Sequence, residues 1–86
     1  MTDPRAGSRA ALGSRCKALL KSDAFNEAVS AIDADYREAI VRTKPEQRDV
    51  RESLYLEYHA LKRIVAKLRN WDSDGAMAQM EIDKDG

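Results

Sequence analysis

The sequence predicts an all-α protein, an antiparallel helical hairpin over about residues 23–42 and 45–71. A short helix over about residues 9–21 precedes the hairpin, and a flexible acidic tail follows it. Three observations predict this. Apolar residues recur at spacings of three and four in two long stretches, which is the period of one helical face. Between those stretches lies RTKPEQ, residues 42–47, where Pro45 forbids a continuous helix. A chain of 86 residues with a single cysteine, Cys16, makes one small domain without a disulfide frame.

Residues 1–8 hold Pro, Gly, Ser and Thr and are expected to be disordered, leaving 9–75 as one helical domain and 76–86 as an acidic tail open to a partner. In the first helix Leu12, Cys16, Leu19 and Leu20 form the apolar stripe. Gly13 costs about 1 kcal/mol there relative to Ala, so the helix is expected to be weak and could start only at Ser14, a good N-cap. Cys16 lies in the stripe and reads as a small buried hydrophobe.

Ser22 or Asp23 can cap the second helix, whose core face is Phe25, Val29, Ile32, Tyr36 and Ala39 or Ile40. In the turn, Thr43 and Glu46 have capping-box spacing, but Lys44 as cap with Pro45 at the first helical position fits proline better. A turn this short lays the helices antiparallel. Facing positions then sum to roughly 90, setting Val29 against Leu61, Phe25 against Val65, Tyr36 against Leu54 and Ile40 against Val50. The same register brings Glu27 near Lys62 and Arg63, and Asp23 near Lys67.

The third helix carries the widest apolar arc. Val50, Leu54, Tyr58, Ala60, Leu61, Ile64, Val65, Leu68 and Trp71 cover roughly 160° of the wheel. One antiparallel neighbour needs less, so the arc predicts contact with two helices, the first helix or a second subunit. A core this small also favours oligomerisation or docking.

Charge is blocked along the chain although the net is zero. Residues 1–21 carry five cations and one acid, 22–41 one cation and five acids, 42–69 eight cations and four acids, and 70–86 one cation and five acids. Alternating blocks argue for segments that satisfy each other, against one basic field aimed at a polyanion. No apolar run is long enough to span a membrane. The opening MTDPRAGSRAALGS lacks the charged-then-apolar layout of a secretion signal.

Each candidate for chemistry has a plainer reading. His59 points away from the arc with Tyr55, Glu52, Lys62 and Arg63 around it, which suits a solvated ion-pair lattice better than a general base. Glu57 falls inside the arc, where a carboxylate must pair with a cation such as Arg15, Arg37 or Arg42, or sit at a subunit seam. Residues 70–81, NWDSDGAMAQME, match calcium-loop spacing through Asn70, Asp72, Asp74, Gly75 and Glu81. Asn in first place and Arg69 before it count against calcium, and Gly75 reads instead as a helix C-cap. Arg48, Arg51, Lys62, Arg63, Lys67 and Arg69 could touch phosphates, but they spread around the wheel among acids. One Cys and one His exclude a structural zinc site. No layout for a nucleophile, a cofactor or a metal is present, so the expected protein is not an enzyme and uses no cofactor.

RCKALLKSDAFNEAVSAIDADYREAI, the proline turn, and RESLYLEYHALKRIVAKLRNWDSDG together resemble a family of short helical proteins of unknown role encoded among phage and prophage head and packaging genes. The resemblance spans roughly residues 15–76 and rests on the Ala-Leu-Leu lead-in, AFNEAV, the Arg-Glu pair opening the last helix, and Asp74-Gly75. It implies a virion or virion-assembly protein, found in the particle and in the host cytoplasm during assembly. Its implied partner is a capsid, portal or packaging component, with self-association or symmetric assembly. The alternatives are a small nucleic-acid-associated packaging or regulatory factor, or a host-directed inhibitor. The residues expected to bind the partner are Leu54, Glu57, Tyr58, Leu61, Ile64, Leu68, Trp71, Met77 and Met80.

Overall fold

The computed structural model describes residues 4–85 and contains three α-helices: α1 over Ala6–Lys21, α2 over Asp23–Val41 and α3 over Arg48–Asp85. The expected all-α hairpin is the observed architecture. α3, 38 residues long, is the spine. α2 lies antiparallel along its N-terminal half and α1 along its C-terminal half, end to end on the same side. The result is a ribbon of 61 × 25 × 12 Å. Its radius of gyration is 18.2 Å, against roughly 12 Å for a compact domain of this length.

One residue, Ser22, separates α1 from α2. Its backbone is extended (φ −70°, ψ 124°), and its side chain accepts a hydrogen bond from the Phe25 N–H at 3.3 Å, so it is the N-cap. Across the same break Asn26 Nδ2 donates to the Leu20 carbonyl at 2.9 Å, which satisfies an orphan acceptor at the end of α1. The joint therefore satisfies the Phe25 N–H and the Leu20 carbonyl where the helical ladder breaks.

The turn differs from expectation. α3 begins at Arg48, not Pro45. Gln47 supplies the cap chemistry, its Oε1 accepting from the Lys44 N–H at 2.9 Å, while Thr43 closes α2 by donating to the Ile40 carbonyl at 2.7 Å. Arg51 then ties the turn down, donating to Thr43 Oγ1 at 3.1 Å and to the Lys44 carbonyl at 3.3 Å.

Leu54, Tyr58, Leu61, Val65, Leu68, Asp72 and Gly75 alternate at spacings of three and four and form the α3 side of the seam. That spacing is the one left-handed helix pairs use. Opposite them lie Phe25, Val29, Asp33, Tyr36 and Ile40 from α2, and Ala6, Arg9, Gly13, Cys16 and Leu20 from α1. Of these only Ala6, Gly13, Cys16 and Gly75 are buried, with Ala78 beside them, and among the described residues no large side chain is fully buried.

The α1–α3 contact reverses the sequence reading. α1 runs unbroken from Ala6 through Gly13, so residues 6–8 are helical; the expected disorder at residues 1–3 lies outside the described residues. Gly13 and Gly75 meet backbone to backbone. A Cβ at Gly13 would stand 2.6 Å from the Gly75 Cα and 2.7 Å from the Trp71 carbonyl oxygen. A Cβ at Gly75 would stand 2.6 Å from the Gly13 Cα and 2.9 Å from the Arg9 carbonyl oxygen. Gly75 is thus not a C-cap, and its φ is not positive. The helix does not end at Trp71 but continues to Asp85, so the expected flexible tail is the last turns of α3 up to there; Gly86 lies outside the described residues. Tertiary packing overrides the local cost of glycine here.

Alanine normally strengthens a helix over glycine by up to about 1 kcal/mol. Gly13→Ala and Gly75→Ala should instead destabilise by about 1–3 kcal/mol, the usual cost of overpacking. Gly7→Ala, with open space around its Cβ position, is the control and should be neutral or stabilising. Urea unfolding followed by circular dichroism reads all three; a more stable Gly75→Ala variant would refute the contact.

Candidate interaction surface

Because α1 and α2 lie end to end, each level of α3 has one helical neighbour, and the ribbon keeps two broad faces. In an antiparallel pair, residues just after seam positions on both helices share one face, and those just before share the other.

The first face is polar. Ser14, Lys17, Ser30, Tyr55, Lys62, Arg69, Ala76 and Gln79 follow or flank seam residues on this side. Its centre is a network between α2 and α3. Arg37 Nε lies 3.0 Å from Asp33 Oδ2 and donates to the Tyr58 hydroxyl at 3.2 Å. Lys62 Nζ lies 3.5 Å from Asp33 Oδ1 and 5.1 Å from the centroid of the Tyr58 ring. A hydrogen bond from Tyr58, then Arg37 and Lys62, hold the Asp33 carboxyl below its ordinary value. Lys62 therefore pairs with Asp33 and not with Glu27. Tyr36 meets Tyr58 edge to face with centroids 6.3 Å apart, which makes the network the lock between the hairpin arms. His59 is exposed, and its ring packs on Tyr55 at 4.4 Å instead of within an ion-pair lattice.

A second lock holds α1. Arg9 donates from Nε to Asp74 Oδ2 at 2.9 Å and from Nη2 to Asp74 Oδ1 at 2.8 Å, a bidentate pair, and its Nη1 lies 3.7 Å from Glu81 Oε2. Arg9 keeps the Asp74 carboxyl below its usual range. Residues 70–81 are continuous helix, so the loop conformation that calcium-type spacing requires does not form, and Asp74 and Glu81 face Arg9.

The second face is the more apolar of the two, although Arg15, Asp35, Glu57 and Lys67 also precede seam residues there. Ile64 and Trp71 each precede a seam residue of α3, as Leu12 and Leu19 do in α1 and Ile32 in α2. Ile64 is 58% and Trp71 43% exposed; Leu12, Leu19, Ile32 and Val50 are open to a similar degree. A groove of about 320 Å³ between Ile32, Asp35, Tyr36, Ala39 and Leu54 opens on this side.

The residues expected to bind a partner divide accordingly. Leu54, Tyr58, Leu61 and Leu68 are half-buried in the seam and spent on the hairpin. Ile64 and Trp71 are open on the apolar face, and Met77 and Met80 with Glu81 and Lys84 form a separate patch near the end of α3. Glu57 is exposed at the flank, not buried inside the arc, so it needs no Arg partner; Arg37 is turned to Asp33 and Arg42 to Glu38. Sequence reasoning missed Leu12, Leu19 and Ile32 as surface residues because it placed them in the core stripes. The signal that finds them is their position one residue before Gly13, Leu20 and Asp33.

No protein-family model matches the chain, and neither a curated protein nor a solved structure does.

A carboxyl held below its unfolded value of 3.8 stabilises the fold above that pH, and the contribution is lost as pH falls through the folded value. The docking of α1 should therefore weaken below about pH 4. Asp74→Asn should be less stable at neutral pH and should flatten the acid limb of a stability–pH profile. An unchanged acid limb would refute the role given to Asp74.

Proposed function

We propose that this chain is a non-enzymatic protein-binding component of a phage particle or of its assembly. Its partner is a capsid, portal or packaging protein, so it belongs to the virion and, during assembly, to the host cytoplasm. The observation that carries the reading as an interaction protein is the exposed apolar set Leu12, Leu19, Ile32, Ile64 and Trp71 on a ribbon with no fully buried large side chain among the described residues. Large apolar side chains grouped in the open on one face are a mark of protein–protein contact. The phage setting is supported by the sequence resemblance over residues 15–76.

The mechanism is burial. Ile64 and Trp71 offer rigid apolar area at a site where the backbone is already ordered, so docking costs little conformational entropy. Tryptophan is also among the residues that dominate interface energetics. The Met77–Met80 patch adds adaptable contact at one end of the ribbon. On the opposite face Lys62 is engaged by Asp33, while Arg48 lies 3.7 Å from Glu52 and Arg51 holds the turn. These commitments favour the protein-binding reading over a nucleic-acid one.

Quantitative mass spectrometry of gradient-purified particles and their precursors should find the chain at a fixed ratio to the capsid protein, or to the portal. Its absence from both mature particles and precursors would overturn the reading. Salt-dependent DNA retardation would favour the nucleic-acid alternative.

A further inference from the structure

The apolar face fits a second copy of this chain, and we infer that two ribbons stack through it as an antiparallel four-helix bundle. The inference rests on the interaction reading of that face but not on the phage partner.

Surface area is the first argument. The chain exposes 6755 Å², about 1,600 Å² more than the roughly 5,100 Å² expected of a compact chain of its 9.7 kDa mass. A standard interface removes roughly 800 Å² from each partner. One ribbon laid on another covers that much and adds thickness without adding length.

The second argument is self-complementarity. A two-fold interface requires that residue i meets residue j of the partner subunit while j meets i. Gly13 against Gly75 fixes the level at which the two arms run beside each other, which places Ser22 beside the region of Lys67. Take a two-fold axis crossing the ribbon at that level, with the turns at opposite ends. Leu12 and Ile32 are equidistant from Ser22, so Leu12 meets Ile32 of the partner subunit, and the reverse. Ile64 and Trp71 straddle Lys67, so Ile64 meets Trp71 of the partner subunit, and the reverse. One axis therefore satisfies both arms at once. The same axis lies at the midpoint of α3, so overlap along the spine is nearly complete.

Sedimentation equilibrium on the full chain at tens of micromolar should return twice 9.7 kDa. Ile64→Glu should return the monomer mass with helicity retained. Leu56→Glu, at an exposed site off the face, should leave the dimer intact. In a Cys16→Ser background, Lys67→Cys should cross-link to itself on oxidation, whereas Glu46→Cys in the turn should not. A wild-type monomer would overturn the inference and leave the face to another protein. So would a dimer that Ile64→Glu leaves intact, or one that cross-links through Glu46→Cys and not through Lys67→Cys. A monomer present in particles sinks only the dimer, while a dimer absent from particles and precursors sinks only the phage reading.

Discussion

The close approach of Gly13 to Gly75 is the constraint on which the rest of the structure depends. Two helices normally stand about 8–10 Å apart, held off by their side chains. Here the backbones touch, with Ala6, Cys16 and Ala78 as the small neighbours that make room. That contact fixes the rotation of α1. With Gly13 and Leu20 turned inward, Leu12 and Leu19, one position before each, must turn to the apolar face. It also fixes the level of α1 on α3, so that Arg9 reaches Asp74 as a bidentate pair. The C-terminal half of α3 thus gains a partner by backbone proximity and by the ion pairs of Arg9 with Asp74 and Glu81.

The α2 half is held differently. There the seam is made of large residues, Phe25, Val29 and Tyr36 against Leu54, Leu61 and Val65, and the arms are locked by the Asp33, Arg37, Tyr58 and Lys62 network. Ser22 separates the two regimes. A continuous helix would carry one rotation from end to end. The single extended residue lets α1 turn its small residues inward while α2 turns its large ones. Since neither segment lies on top of the other, the large residues stay half-buried and the ribbon stays thin.

The helix types and the hairpin, though not its pairing register, in which Lys62 meets Asp33 and not Glu27, were legible in the sequence because they rest on large apolar residues at helical spacing and on Pro45. The Ser22 cap was legible for the same local reason. What escaped was set by long-range contact. Gly13 read as a weak point and Gly75 as a stop, because propensities describe a helix in water and not one pressed against another backbone. The leucine stripe of α1 pointed to the wrong face, since hydrophobicity ranks Leu12 and Leu19 above the glycine and alanines that are buried. The wide arc of α3 was read correctly as excess surface. As expected of so wide an arc, α3 meets two helices, but α1 lies beyond the end of α2 and not beside it, so part of the arc stays open. Small residues at Ala6, Ala10, Gly13, Gly75 and Ala78 were the available signal.

The difference between the two faces also decides how far association can go. A ribbon apolar on both sides would stack without limit, since every new copy would present a fresh sticky side. This one carries Lys62, Arg69, Arg37 and Asp33 on the other side, where charge and hydration oppose a second layer. Burying that network would strip water from ions whose mutual attraction is worth little at the surface. Stacking through Leu12, Leu19, Ile32, Ile64 and Trp71 therefore closes at two copies. Such a stack leaves the methionine patch of each α3 at opposite ends of the bundle.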